Sequence, residues 1–304
     1  MKIRASLFAA VMLAFLALTS CQKEISFEVN GNPNVDTTGN GSGTGNTSGD
    51  LLVRSEFSTV PASPDNSMTA TYTFDANKRL IEQKATGKLN GTTTYGYRYY
   101  QRDADGLITF IRMNNGDSPD DSMFIKVIRN ASKQIRYLLI DNEPAMVYPT
   151  DSIAVVYSGA LPKERLHYSY VLGSSPTDPL PVAKEEFTWS NNAMTRSNLS
   201  VYWEETTQQW LQRTQMNFEY DNKKKPYDRT PDDVMCELEL IEGGFSLNNN
   251  LVKSSLQPQP NLPAIPYISG AFKYGANNRP SEETLVFTPV GIAPGTTKTL
   301  FFYR

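Results

Sequence analysis

The sequence is short of the residues from which most catalytic sites are built. Among 304 residues there is one His and there are two Cys. A single His excludes His-rich metal centres and leaves a His-based triad only one place to form, around His167. Charged residues make up 20% of the chain, below the ~25% of an average domain. The formal net charge is −3 and no basic block interrupts the balance, which argues against a nucleic-acid-binding face. Apolar runs are short as well. The longest, Leu7 to Leu18, falls below the about 20 residues that a helix needs to cross a bilayer. What the chain has in quantity is aromatic, with 16 Tyr, 14 Phe and 3 Trp.

The first fifty residues read as an address and a tether. Lys2 and Arg4 precede the apolar run, which ends in Leu18-Thr19-Ser20-Cys21. This is the layout of an export signal over residues 1–20. Its end resembles the lipobox of bacterial lipoproteins, in which the Cys thiol is diacylglycerated before cleavage leaves it at the new N-terminus. The resemblance implies lipidation at Cys21, where each buried methylene adds about 0.8 kcal/mol to anchoring. Gln22-Lys23-Glu24 is similar to the start of many Bacteroidota lipoproteins, where a Lys followed by acidic residues acts as a surface-export signal; here only Glu24 follows. The expected location is the outer membrane, lipid-anchored, with the periplasmic and cell-surface faces both open. The rest of residues 21–50 is mostly Gly, Asn, Thr and Ser. Such a tract has too little apolar surface to fold and reads as a flexible linker with a reach of roughly 25 Å.

Residues 51–304 show almost no helical periodicity and repeated period-2 alternation. Tyr95, Tyr97 and Tyr99 share one face, as do Phe187 with Trp189, and Met216 with Phe218 and Tyr220. Strands of this kind, bounded by Asn, Asp and Gly clusters, predict one all-β domain. The clusters begin near Asp75, Asp103, Asn130, Ser158, Ser190, Asp221 and Gly275, at spacings of 28, 27, 28, 32, 31 and 54. A period near 30 fits one hairpin per unit, and the last spacing reads as two periods with one diverged unit. The expectation is a long antiparallel meander of about 14–16 strands, closed or curled into a barrel-like body that hides its edges.

The aromatic-x-aromatic-Asp turns of Tyr72 to Leu80 and Phe218 to Lys224 resemble the tyrosine–aspartate hairpin repeat. That repeat occurs in bacterial shell proteins and in Bacteroidota lipoproteins of unknown function, one family of which is porin-like in fold. Gly243 to Lys253 is similar to a segment those lipoproteins carry. The resemblance implies fold and location and transfers no functional residue. Asp or Asn opens such turns by accepting backbone N–H groups two residues on, and Asn or Gly takes the positive φ. A lipid-spanning barrel is the alternative architecture. Charges on alternate strand positions, such as Arg98, Lys126, Arg136, Glu219 and Lys273, argue against it.

Candidate sites are few. Trp189, Trp203 and Trp210, with Tyr202, are the candidate ligand-binding residues, either core or a platform for sugar rings. Adjacent carboxylates such as Glu185-Glu186 and Glu282-Glu283 point to opposite sides of a strand, so none is a ready acid–nucleophile pair. Asp103-Ala104-Asp105-Gly106 fails as a calcium loop because Arg112 would fill the bidentate position. His167 has no acidic partner near in sequence, and Cys236 reads as a buried strand thiol. The sequence therefore predicts no metal, no cofactor and no catalytic residue. The expected function is a non-catalytic structural or binding role in the envelope, with a glycan, a peptide or an envelope protein as partner. A carboxylate-dependent carbohydrate hydrolase and an outer-membrane β-barrel are the alternatives.

Overall fold

A computed structural model describes residues 50–304 apart from 117–121, 145–148, 173–178, 204–208, 230, 237–246, 248, 260 and 289–292. Cys21 and the tether lie outside the described residues. Eight strands form the first half: β1 (Leu52–Thr59), β2 (Ser67–Phe74), β3 (Leu80–Leu89), β4 (Thr92–Arg102), β5 (Ile108–Gly116), β6 (Met123–Arg129), β7 (Ile135–Asp141) and β8 (Asp151–Ser158). Eight more follow: β9 (Leu161–Ser169), β10 (Leu180–Ser190), β11 (Ala193–Trp203), β12 (Gln209–Tyr220), β13 (Leu251–Gln257), β14 (Ile265–Tyr274), β15 (Pro280–Phe287) and β16 (Gly295–Tyr303). A short helix, α1 (Pro231–Met235), lies between β12 and β13. Every strand pairs antiparallel with its neighbours in sequence, and β16 returns to β1. The expected meander is thus a closed barrel, which removes both sheet edges.

Alternation assigns the two faces of the wall. Ile111, Ile125 and Ile140 are direct neighbours across β5, β6 and β7, and Val127, Leu138 and Ile153 across β6, β7 and β8. All six are at most 8% exposed. In a closed single sheet the face shielded from water is the inner one, so these residues fill the barrel. The intervening positions face out and carry cross-strand pairs such as Lys253–Glu219.

The turns at one end repeat a single design. Asp75, Asp103, Asn130 and Gly275 each donate their backbone N–H to the carbonyl four residues on and accept one from three residues on. Lys78, Gly106, Lys133 and Asn278 take the positive φ that this turn requires. The Asp75, Asp103 and Asn130 side chains accept the backbone N–H that follows the turn. Arg102 and Arg129, each just before such a turn, reach back to the carbonyls of Leu80 and Ile108 and so tie one hairpin to the previous one.

The wide spacing between Asp221 and Gly275 has a different cause from a diverged unit. Asp221 donates to Asn250 O and accepts from the Asn250 and Lys223 N–H groups, as Asp75 does with Arg79 and Asn77. Asn250 therefore stands where Arg79 stands, and the intervening residues are an insertion into one hairpin turn. Its described part caps this end of the barrel. Tyr227 packs at 5.9 Å from Tyr72 and 6.2 Å from Phe74, ring to ring. Val234, Met235 and Cys236 join the core. Cys236 is buried as expected, though it follows α1 rather than lying in a strand.

Candidate functional site

The barrel interior holds a compact group of charged side chains, drawn from β8, β9 and β10. Arg165, paired in register with Glu185, is fully buried, and Glu185 is 1% exposed. The Arg165 Nε and a terminal guanidinium nitrogen donate to Glu185 Oε2 at 2.7 and 2.6 Å. His167 Nε2 lies 3.0 Å from the same oxygen. An ionised carboxylate only accepts, so Nε2 carries the proton of that bond. Asp151, at the inner start of β8, interacts with His167 electrostatically. Burial raises its carboxyl above the ordinary value, against bonds from Ser169 and Thr150 that lower it.

This arrangement is built to hold charge in place. Glu185 is held by a guanidinium and an imidazole, so its carboxylate is committed to an ion pair and is a poor nucleophile. The acidic partner of His167 lies 18 residues away, on the neighbouring strand. Local sequence gave no sign of it; a search for a carboxylate on the inner face of the adjacent strand would have found it. Glu185 is buried and Glu186 faces out, as alternation requires.

The capped end is held by a second polar group. Arg102 meets Asp233 at 2.7 Å, and Arg279 contacts the Lys225 carbonyl and Asp228. Tyr274 donates a hydrogen bond to Asp221. Burial, reinforced by the Asp221 carboxylate, pushes the Tyr274 phenol well above its ordinary value, so it stays a donor.

The tryptophans are not brought together in one cluster that the structure describes. Trp189 packs against the core and donates its indole N–H to the Pro162 carbonyl at 2.6 Å. Trp210 is half-buried, with the Lys184 ammonium 5.6 Å from its ring. Tyr202 pairs in register with Trp210 and Trp203 with Gln209, but the Tyr202 and Trp203 side chains lie outside the described residues.

No family model matches the chain, and no curated protein matches it in sequence. Solved structures do. The chain is similar to a porin-like protein from Bacteroides uniformis, with a TM-score of 0.50, 7% identity, and 85% of this chain and 99% of that one covered. A porin-like protein from Bacteroides vulgatus aligns with a TM-score of 0.39 and 7% identity, over 84% of this chain and 99% of that one. The likeness to the first is one of fold: an antiparallel meander closed into a barrel.

Proposed function

We propose that the chain is a lipoprotein tethered to the outer membrane through Cys21, with its barrel in water beside the bilayer and a non-catalytic structural or binding role in the envelope. The distribution of charge on the outer wall carries this reading. Each strand from β10 to β16 presents an outward charge: Lys184, Arg196, Glu219, Lys253, Lys273, Glu282 and Lys298. A Lys or Arg turned to lipid at the bilayer midplane costs about 2–4 kcal/mol, and a spanning barrel keeps that face apolar. The inner face, by contrast, holds the apolar core. The fixed Arg165–Glu185–His167 group supports structure rather than turnover.

The test is to export residues 22–304 behind a leader that is cleaved without lipid attachment. The expected product is soluble in the periplasmic extract without detergent, while the native chain fractionates with membranes. A lipid-free product that stays in the outer membrane and needs detergent would establish the spanning barrel instead.

A further inference from the structure

The outer wall is not uniform. From β4 to β9 its outward positions include Tyr97, Tyr99, Phe110, Phe124, Leu139 and Val156. Tyr99 and Val156 are 40% and 41% exposed, and Val171 and Leu172, just beyond β9, are 70% and 59% exposed. The cations of this wall differ from those elsewhere. Lys253 pairs with Glu219, and Lys273 and Lys298 share Glu282. Arg112 instead stands 5.7 Å from the Tyr97 ring and bonds Ser122, and Arg136 stands 5.2 Å from the Tyr137 ring. Lys126 is exposed between Phe110 and Leu139. Among the described residues no carboxylate pairs with these three cations; the outward strand carboxylates of the sector are Asp141, which is buried, and Glu164, which is half-buried.

We propose that this wall rests on the surface of the bilayer that holds the lipid anchor, its aromatic and aliphatic side chains at headgroup depth and Arg112, Lys126 and Arg136 on lipid phosphates. The inference rests on the lipoprotein reading above. Aromatic rings beside Lys and Arg suit the boundary between headgroups and acyl chains, and anionic lipids attract such cations. A second copy of the chain fits less well, because a two-fold contact would set the same cations against one another. The tether allows the posture. β5 lies four strands from β1, about 19 Å along the wall at about 4.8 Å per strand. The linker expected from the sequence would reach roughly 25 Å.

The experiment uses the full lipidated chain on vesicles of phosphatidylethanolamine and phosphatidylglycerol with brominated acyl chains. Val156→Cys and, separately, Lys253→Cys carry an environment-sensitive fluorophore; Cys236 is buried and stays unlabelled. The label at 156 is expected to lose most of its emission to bromine and the label at 253 none. Lys126→Glu with Arg136→Glu should abolish the loss at 156 while the protein still floats with the vesicles. Flotation with no quenching at 156, or with equal quenching at both positions, overturns the docking face and leaves the anchor standing. A dimer in which the 156 label is shielded without vesicles also overturns it, in favour of a contact between copies. Protein that does not float overturns both readings.

Discussion

Two ion pairs of nearly the same length sit on opposite sides of the barrel wall. Arg165 and Glu185 meet at 2.6 Å inside, where both are essentially without solvent contact. Lys253 and Glu219 meet at 2.7 Å outside, with their side chains 54% and 64% exposed. Each pair joins adjacent antiparallel strands at directly opposed positions. Geometry therefore does not distinguish them; the medium does. Inside, both charges have lost their water and each depends on the other. Outside, water and salt replace whatever the partner supplied.

The largest effect should come from breaking the inner pair. Glu185→Ala leaves Arg165 buried without its carboxylate and is expected to cost about 3–5 kcal/mol, read by urea denaturation. Replacing both members with apolar residues, Arg165→Met with Glu185→Leu, should recover most of that loss. If the double variant were as unstable as the single one, Arg165 would be holding more than the pair.

A smaller effect separates a buried carboxylate from a paired one. Burial raises the Asp151 carboxyl in the folded state, so the folded protein keeps a proton that the unfolded chain has already lost. Stability from this group should fall as pH rises from the ordinary Asp value through the raised one. Asp151→Asn should remove that slope and leave the protein more stable at neutral pH in thermal melts. Glu282 behaves oppositely. Burial raises its carboxyl, but the bonds to Lys273 and Lys298 outweigh it and hold the value below the ordinary one. Its contribution is present above the ordinary Glu value and is lost as pH falls through the depressed one, so Glu282→Gln should flatten the acid limb of the melt profile. The smallest effect belongs to Lys253→Ala, at about 0–1 kcal/mol and declining with added salt. A loss near that of Glu185→Ala would erase the contrast between the two faces.

Much of the fold was legible from residue order. The turns at Asp75, Asp103 and Asn130 declare themselves through a side-chain acceptor at the first position, a purely local interaction. Alternation along β5 to β8 shows which residues travel together. The cap is not legible in the spacing, because an insertion inside a turn lengthens it as a lost hairpin would. The register of Asp221 with Asn250 resolves it. Of the polar group around His167, the His and the Glu185-Glu186 step were legible, but not that His167 and Glu185 meet. Tyr95, Tyr97 and Tyr99 were visibly on one face, yet that this face looks outward, beside Lys84 and Arg112, was not.

Residue order alone specifies the antiparallel hairpins, the period of their turns and the sorting of residues onto two faces. These rest on φ preferences, side-chain acceptors and the two-residue repeat of a strand, all of which act over a few residues. That β16 meets β1, which of the two faces turns inward, and that Glu185 answers Arg165 and His167 emerge only in the folded barrel. Those facts depend on the register between strands and on closure, and a parity rule along one strand contains neither.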